Sequence, residues 1–120
     1  MCPDIVCHRN KCINNYNLYD FINKNYKTSL EWESTILFYG AMHSVHYFLA
    51  HQPLKLHEQH PDKHEETNKL VSKYLQKYAS DYLMAYQYSR WARYYNVVID
   101  TKMRDTCLKS YNELKTLIPP

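Results

Sequence analysis

Two groups of residues in this chain carry side chains suited to chemistry on an anion. The run from Tyr82 to Tyr94 sets Tyr82, Tyr86, Ser89 and Arg93 three or four residues apart, on one helix face, with Arg90 at its margin. Tyr39 and His43, four apart, share a face of an earlier helix, and His64 stands near the start of a later one. Guanidinium groups hold phosphate through directed hydrogen bonds. Two histidines titrating near neutrality can serve as base and acid when a 2′-hydroxyl attacks phosphate. On that reading His43, His64, Arg90 and Arg93 are the candidate catalytic residues, and Tyr39, Tyr82, Tyr86 and Ser89 the binding residues. The competing reading is a buried polar network, with histidine bonded to tyrosine and arginine to carboxylate or backbone carbonyl, and no chemistry at all.

Metal-ligating types are present but poorly spaced. His57, His60 and His64 could meet one ion, His43 and His46 form an i, i+3 pair, and Cys2, Cys7, His8 and Cys12 lie close in sequence. The cysteine spacing lacks the tight pairs of zinc sites, and His57 and His60 fall in a connection, so neither metal nor cofactor is expected. Cys12 and Cys107 occupy apolar helical positions and read as inert core thiols. Gly40 stands alone within a helix, which excludes a phosphate-cradling loop. Lys69, Lys73 and Lys77 form an i, i+4 row that reads as a solvated face.

The elements that must position these residues are helices. Hairpin turns and bulges depend on glycine, and this chain of 120 residues has one, so the fold is all-α. Its length suits a single domain, with residues 1–12 irregular. The 13 tyrosines need partners for their hydroxyls, which predicts a hydrogen-bonded core or a polar cavity. A net charge of +3 does not by itself point to nucleic acid. Residues 1–20 hold no continuous apolar run of the signal-peptide kind, so the expected setting is the cytoplasm, with free thiols. The most apolar stretch, Ile36 to Ala50, is interrupted by His43, Ser44 and His46 and is too short for a bilayer, so no membrane is involved.

The hydrophobic pattern predicts four to five helices. The first starts near Arg9–Ile13 and ends near Asn25, turning Ile13, Tyr16, Leu18, Phe21 and Ile22 inward. The second starts at a Thr28/Glu31 capping box, reaches about His51 and is the most buried. After a connection over Gln52–Pro61, Asp62 and Glu65 resemble a second capping box opening a helix that runs to about Tyr78. A fourth, continuous with it or broken at Ser80-Asp81, ends near Tyr95. The last begins near Asp100–Thr101 and buries Cys107 or Leu108, Tyr111, Leu114 and Ile118. The fourth helix has a second apolar face, Met84, Tyr88, Trp91 and Tyr95, which faces solvent, covers the first helix or forms a subunit interface rich in aromatic anchors.

Three pieces in order carry a family resemblance. Trp32 is followed by Phe38-Tyr39-Gly40-Ala41-Met42-His43, close to W-x5-F-Y-A-A-L-H. His64 comes next, and then Tyr82-x3-Tyr86-x2-Ser89-Arg90-x-Ala92-Arg93-Tyr94, close to Y-x3-Y-x2-S-R-x-A-R-Y. Together they resemble a prokaryotic branch of the HEPN superfamily over roughly Asn14 to Asn96. The resemblance implies an antiparallel four- to five-helix bundle that dimerises, with RNA or a nucleotide as ligand. It also implies either a non-catalytic binding module or a metal-independent ribonuclease toxin paired with a nucleotidyltransferase-type antitoxin. Ribonuclease members carry an R-x4-6-H motif. None of Arg9, Arg90, Arg93 and Arg104 has histidine at that spacing, and Thr67 and His46 replace the arginine and glutamate of the resembling branch. The expectation is therefore a non-catalytic or degenerate interaction module, with the ribonuclease as its alternative.

Overall fold

The most apolar segment forms helix α2 (Leu30–Ala50) at the centre of a computed structural model describing residues 5–25, 29–95 and 97–119. Leu37, Phe38, Ala41, Val45 and Leu49 lie fully buried along it, at the i, i+4 and i+3 steps that keep one helix side together. Helix α1 (Ile5–Asn25), α5 (Gln76–Tyr94) and α6 (Thr101–Leu114) pack around it, while α4 (His64–Tyr74) leans mainly on α5. A single-turn helix α3 (Leu56–Gln59) lies between α2 and α4, and a 3₁₀ turn (Lys115–Leu117) follows α6. The described residues contain six α-helices and no strand, so the fold is an all-α bundle.

Gly40 is where α2 is approached most closely. A Cβ there would stand 2.8 Å from Cε1 and 2.9 Å from Cδ1 of Tyr111 on α6. The missing side chain lets the Tyr111 ring lie against the α2 backbone and stack on Tyr16 of α1, with ring centroids 5.3 Å apart. At the far end, the buried Glu33 carboxylate accepts from Arg104 Nη1 at 2.8 Å and from Asn23 Nδ2 at 2.7 Å, tying α1, α2 and α6 together.

Several expected boundaries move. Helix α1 begins at Ile5, so residues 5–12 are helical rather than irregular. Its inward stripe is His8, Cys12 and Tyr19, with Tyr16 and Ile22 half-buried, whereas Ile13, Leu18 and Phe21 are exposed. The cause is tertiary. Burying His8 and Cys12 against α2 rotates the helix away from the face that counting apolar residues selects. Thr28, half of the expected capping box, lies outside the described residues, and Ser29 stands at the N-cap of α2.

Helix α4 starts at His64, not at Asp62, and the Asp62 amide instead donates to the Glu66 carboxylate at 3.3 Å. The break between the third and fourth predicted helices falls at Leu75 (φ −128°, ψ 45°), not at Ser80-Asp81. Turning the chain there lets Val71, Leu75 and Tyr82 join one core. Helix α6 starts as expected, with Asp100 accepting from the Met103 amide at 2.8 Å. Cys12 and Cys107 are free, buried thiols, and burial pushes Cys107 up to about 12. Cys7 is disulfide-bonded, against the expectation of free thiols, and Cys2 lies outside the described residues. No helix among the described residues is long and apolar enough to cross a membrane.

Candidate functional site

One face of α2 presents Tyr39, Met42, His43 and His46 at helical spacing, and these residues line a cavity of about 490 Å³. Its remaining walls come from His8 and Lys11 on α1, the segment Pro61–Lys63, and His64 and Thr67 on α4. Four imidazoles therefore open onto one space, and they divide into two groups with different partners.

The first group is His8, His43 and His46, whose ligand-capable atoms all lie within 4.8 Å of one another. The Nδ1 atoms of His8 and His43 are 3.1 Å apart, and the His8 ring meets the His46 ring edge-on at 5.2 Å. His46 Nε2 lies 3.1 Å from the Thr67 hydroxyl, which donates to the Lys63 carbonyl at 3.3 Å. Burial, then the neighbouring His8 and Lys11, lowers His43 to about 4. Burial, reinforced by the surrounding histidines, lowers His46 to about 3. Both rings are neutral at pH 7, because a buried imidazolium has lost its hydration.

The second group joins His64 to the arginines of α5. The His64 ring packs against Tyr39, Tyr86 and Phe38, with centroids 6.0, 5.4 and 5.9 Å away. Burial first, then Arg93 and Arg90, lowers its pKa. Arg93 donates from Nη1 to the Tyr39 hydroxyl and from Nε to the Ser89 carbonyl at 3.2 Å. Arg90 donates to the Tyr86 hydroxyl at 3.2 Å and to the Tyr95 hydroxyl at 3.5 Å. Among the described residues neither guanidinium meets a carboxylate within ion-pair distance. Glu31 and Arg93 do share the wall of a second cavity, of about 260 Å³.

The residues singled out in the sequence thus separate. Tyr39, Tyr86, His64, Arg90 and Arg93 come together. His43 does not join the arginines as their acid–base partner but turns to His8 and His46. Tyr82 is fully buried against Phe38, and Ser89 is buried with its hydroxyl donating to the Tyr86 carbonyl at 2.8 Å, so both belong to the core rather than to a ligand surface. Their positions follow the helical period that suggested them, but that same period is what aims them at α2.

His8 and His46 are the residues the sequence reading leaves out of the site. The available signals were the i, i+3 spacing of His43 and His46 and the i, i+4 spacing of His8 and Cys12, which extends the buried stripe of α1. His57 and His60 are exposed and stand outside the cluster. The lysine row is exposed as expected, with Lys73 paired to Glu58 at 3.2 Å. On the outer face of α5, Met84 is exposed, and Tyr88 and Trp91 are half-buried with rings 5.7 Å apart; Tyr95, expected on the same face, lies past the helix end in extended backbone (φ −124°, ψ 146°) and is exposed. Comparison with protein-family models, curated proteins and solved structures finds no match to this chain.

Proposed function

We propose that this chain is a HEPN-like binding module that recognises a phosphate-bearing ligand, RNA or a nucleotide, and does not cleave it. The observation that carries this reading is the pairing of Arg90 and Arg93 with phenol and carbonyl oxygens in place of carboxylates. Such partners orient a guanidinium without neutralising its charge, which leaves it available to an anion. Tyr39 and Tyr86 add aromatic faces, against which nucleobases stack. The order of the three sequence motifs supports the HEPN assignment, and the all-α architecture is compatible with it.

The state of His43 favours binding over cleavage. Cleavage by 2′-hydroxyl attack needs a base and an acid, and a histidine lowered to about 4 is the neutral imidazole at pH 7, without the imidazolium proton that the acid must give. The ribonuclease reading keeps one supporting feature, the packing of His64 beside both arginines. The exposed Met84 and Tyr95, with Tyr88 and Trp91 beside them, support dimerisation through α5.

Fluorescence anisotropy with a mixed-sequence single-stranded RNA, and separately with ATP, tests the proposal. The wild-type chain should bind at least one of them, and Arg90→Ala and Arg93→Ala should each weaken binding about tenfold. Binding of neither probe would remove the reading. RNA cleavage that persists in chelator and disappears in Arg93→Ala would put the ribonuclease in its place.

A further inference from the structure

We propose that His8, His43 and His46 form a binding site for one Zn²⁺-class divalent transition metal ion, with its remaining coordination position open to the cavity. The inference does not rest on the phosphate-binding reading, because it uses a different set of side chains.

The geometry is close to what such an ion requires. Zn–N bonds of about 2.0–2.1 Å put two nitrogens of a tetrahedral shell roughly 3.4 Å apart. The His8 and His43 Nδ1 atoms are already at 3.1 Å, and the widest separation in the trio is no more than 4.8 Å. Modest side-chain rotation closes that gap. Two ligands come from consecutive turns of α2 and the third from α1, its most extensively packed neighbour, so the scaffold under the site is helical on both sides.

The chemistry of the donors agrees with the geometry. A metal ligand must offer a lone pair, and each neutral imidazole carries one on a ring nitrogen. When the Thr67 hydroxyl donates to the Lys63 carbonyl, it accepts from His46 Nε2. That bond fixes the tautomer and leaves Nδ1 with the lone pair, as outer-shell partners do for metal-bound imidazoles. Three imidazoles without a carboxylate among them select Zn²⁺, Cu²⁺ or Ni²⁺ over Mg²⁺ and Ca²⁺, which require oxygen.

Among the described residues the cluster supplies three ligands. Sites closed by four protein side chains are structural, whereas three leave room for water or a bound molecule. All three histidines line the cavity of about 490 Å³, which provides that room and the route of entry.

The test is calorimetric titration of the chelator-stripped full chain with ZnCl₂ at pH 7, in chelator-free buffer. One equivalent should bind, and the melting temperature should rise. His8→Gln and His46→Asn should each weaken binding about 100-fold, while His57→Ala with His60→Ala should leave it unchanged. Should a cluster variant fail to fold, nitrogen NMR of wild-type imidazoles decides the matter. Zn²⁺ should shift the ring nitrogens of His8, His43 and His46. No stoichiometric binding, binding that survives both cluster substitutions, or shifts confined to His51, His57 and His60 would overturn the proposal.

Discussion

Arg93 on α5 donates through Nη1 to the Tyr39 hydroxyl on α2, and its guanidinium lies 4.9 Å from the Tyr39 ring centre. The phenol therefore both holds the guanidinium and leaves its charge unpaired. Tyr39→Phe keeps the ring and removes the acceptor. It should change stability by about 1 kcal/mol or less, since one hydrogen bond is exchanged for water. RNA affinity should fall several-fold as the guanidinium loses its orientation. Melting curves and anisotropy measured together separate the two effects, and unchanged affinity would show that Tyr39 does not position Arg93.

Gly40→Ala should destabilise the fold, although alanine is the better helix former. The propensity gain is about 1 kcal/mol, whereas overpacking a filled site costs about 1–3 kcal/mol. The new methyl would meet a Tyr111 ring that is itself buried and stacked on Tyr16. Urea unfolding should show a net loss of about 1 kcal/mol. A gain would mean that the Tyr111 ring moves aside freely.

Removing Arg104 should be costly, because it strands Glu33. That carboxylate is 2% exposed, and among the described residues it would keep only Asn23 as a side-chain partner. Arg104→Met should lower stability by about 3 kcal/mol, the range found when one member of a buried pair is deleted. Glu33→Leu combined with Arg104→Met should recover part of that loss. Additive losses in the double variant would show that the two side chains are not coupled.

Acid should unfold the metal-free protein through its histidines. His43 and His46 fall from 6.5 in the unfolded chain to about 4 and about 3 in the fold. Below pH 6.5 the unfolded state therefore binds more protons, and stability rises with pH across that window. Unfolding free energy in chelator should be level above pH 7 and then drop as pH falls toward 4, by up to about 1.4 kcal/mol per pH unit for each ring. The half-buried His64, which faces both arginines, adds in the same direction. His46→Asn should flatten the slope, and an unchanged slope would locate the acid sensitivity elsewhere.

The outer face of α5 should mediate self-association. Met84 on that face and Tyr95 just past the helix end are exposed, so charging them disturbs the core least. Met84→Glu with Tyr95→Glu should convert a dimer to a monomer in sedimentation equilibrium, with helicity unchanged. A dimer that survives these changes would assign the contact to another face, and a monomeric wild type would remove it.

Much of the bundle can be read from residue order alone. A single glycine excludes hairpins, the apolar density of Ile36 to Ala50 marks the central helix, and Asp100 marks the last helix start, because each of these is a local preference of backbone or side chain. The meeting of Tyr39, His64, Arg90 and Arg93 was legible too, since each lies on a recognisable helix face.

Tertiary packing decided the rest. The break at Leu75 and the rotation of α1 depend on which faces α2 accepts, and no local propensity specifies that. The same rotation carries His8, 35 residues away in sequence, to His43. Whether a histidine acts as an acid, a packed core ring or a metal ligand depends on the hydration it loses and the nitrogens it meets. Spacing along the chain places His43 and His46 on one helix face, and only the docking of α1 against α2 adds the third imidazole.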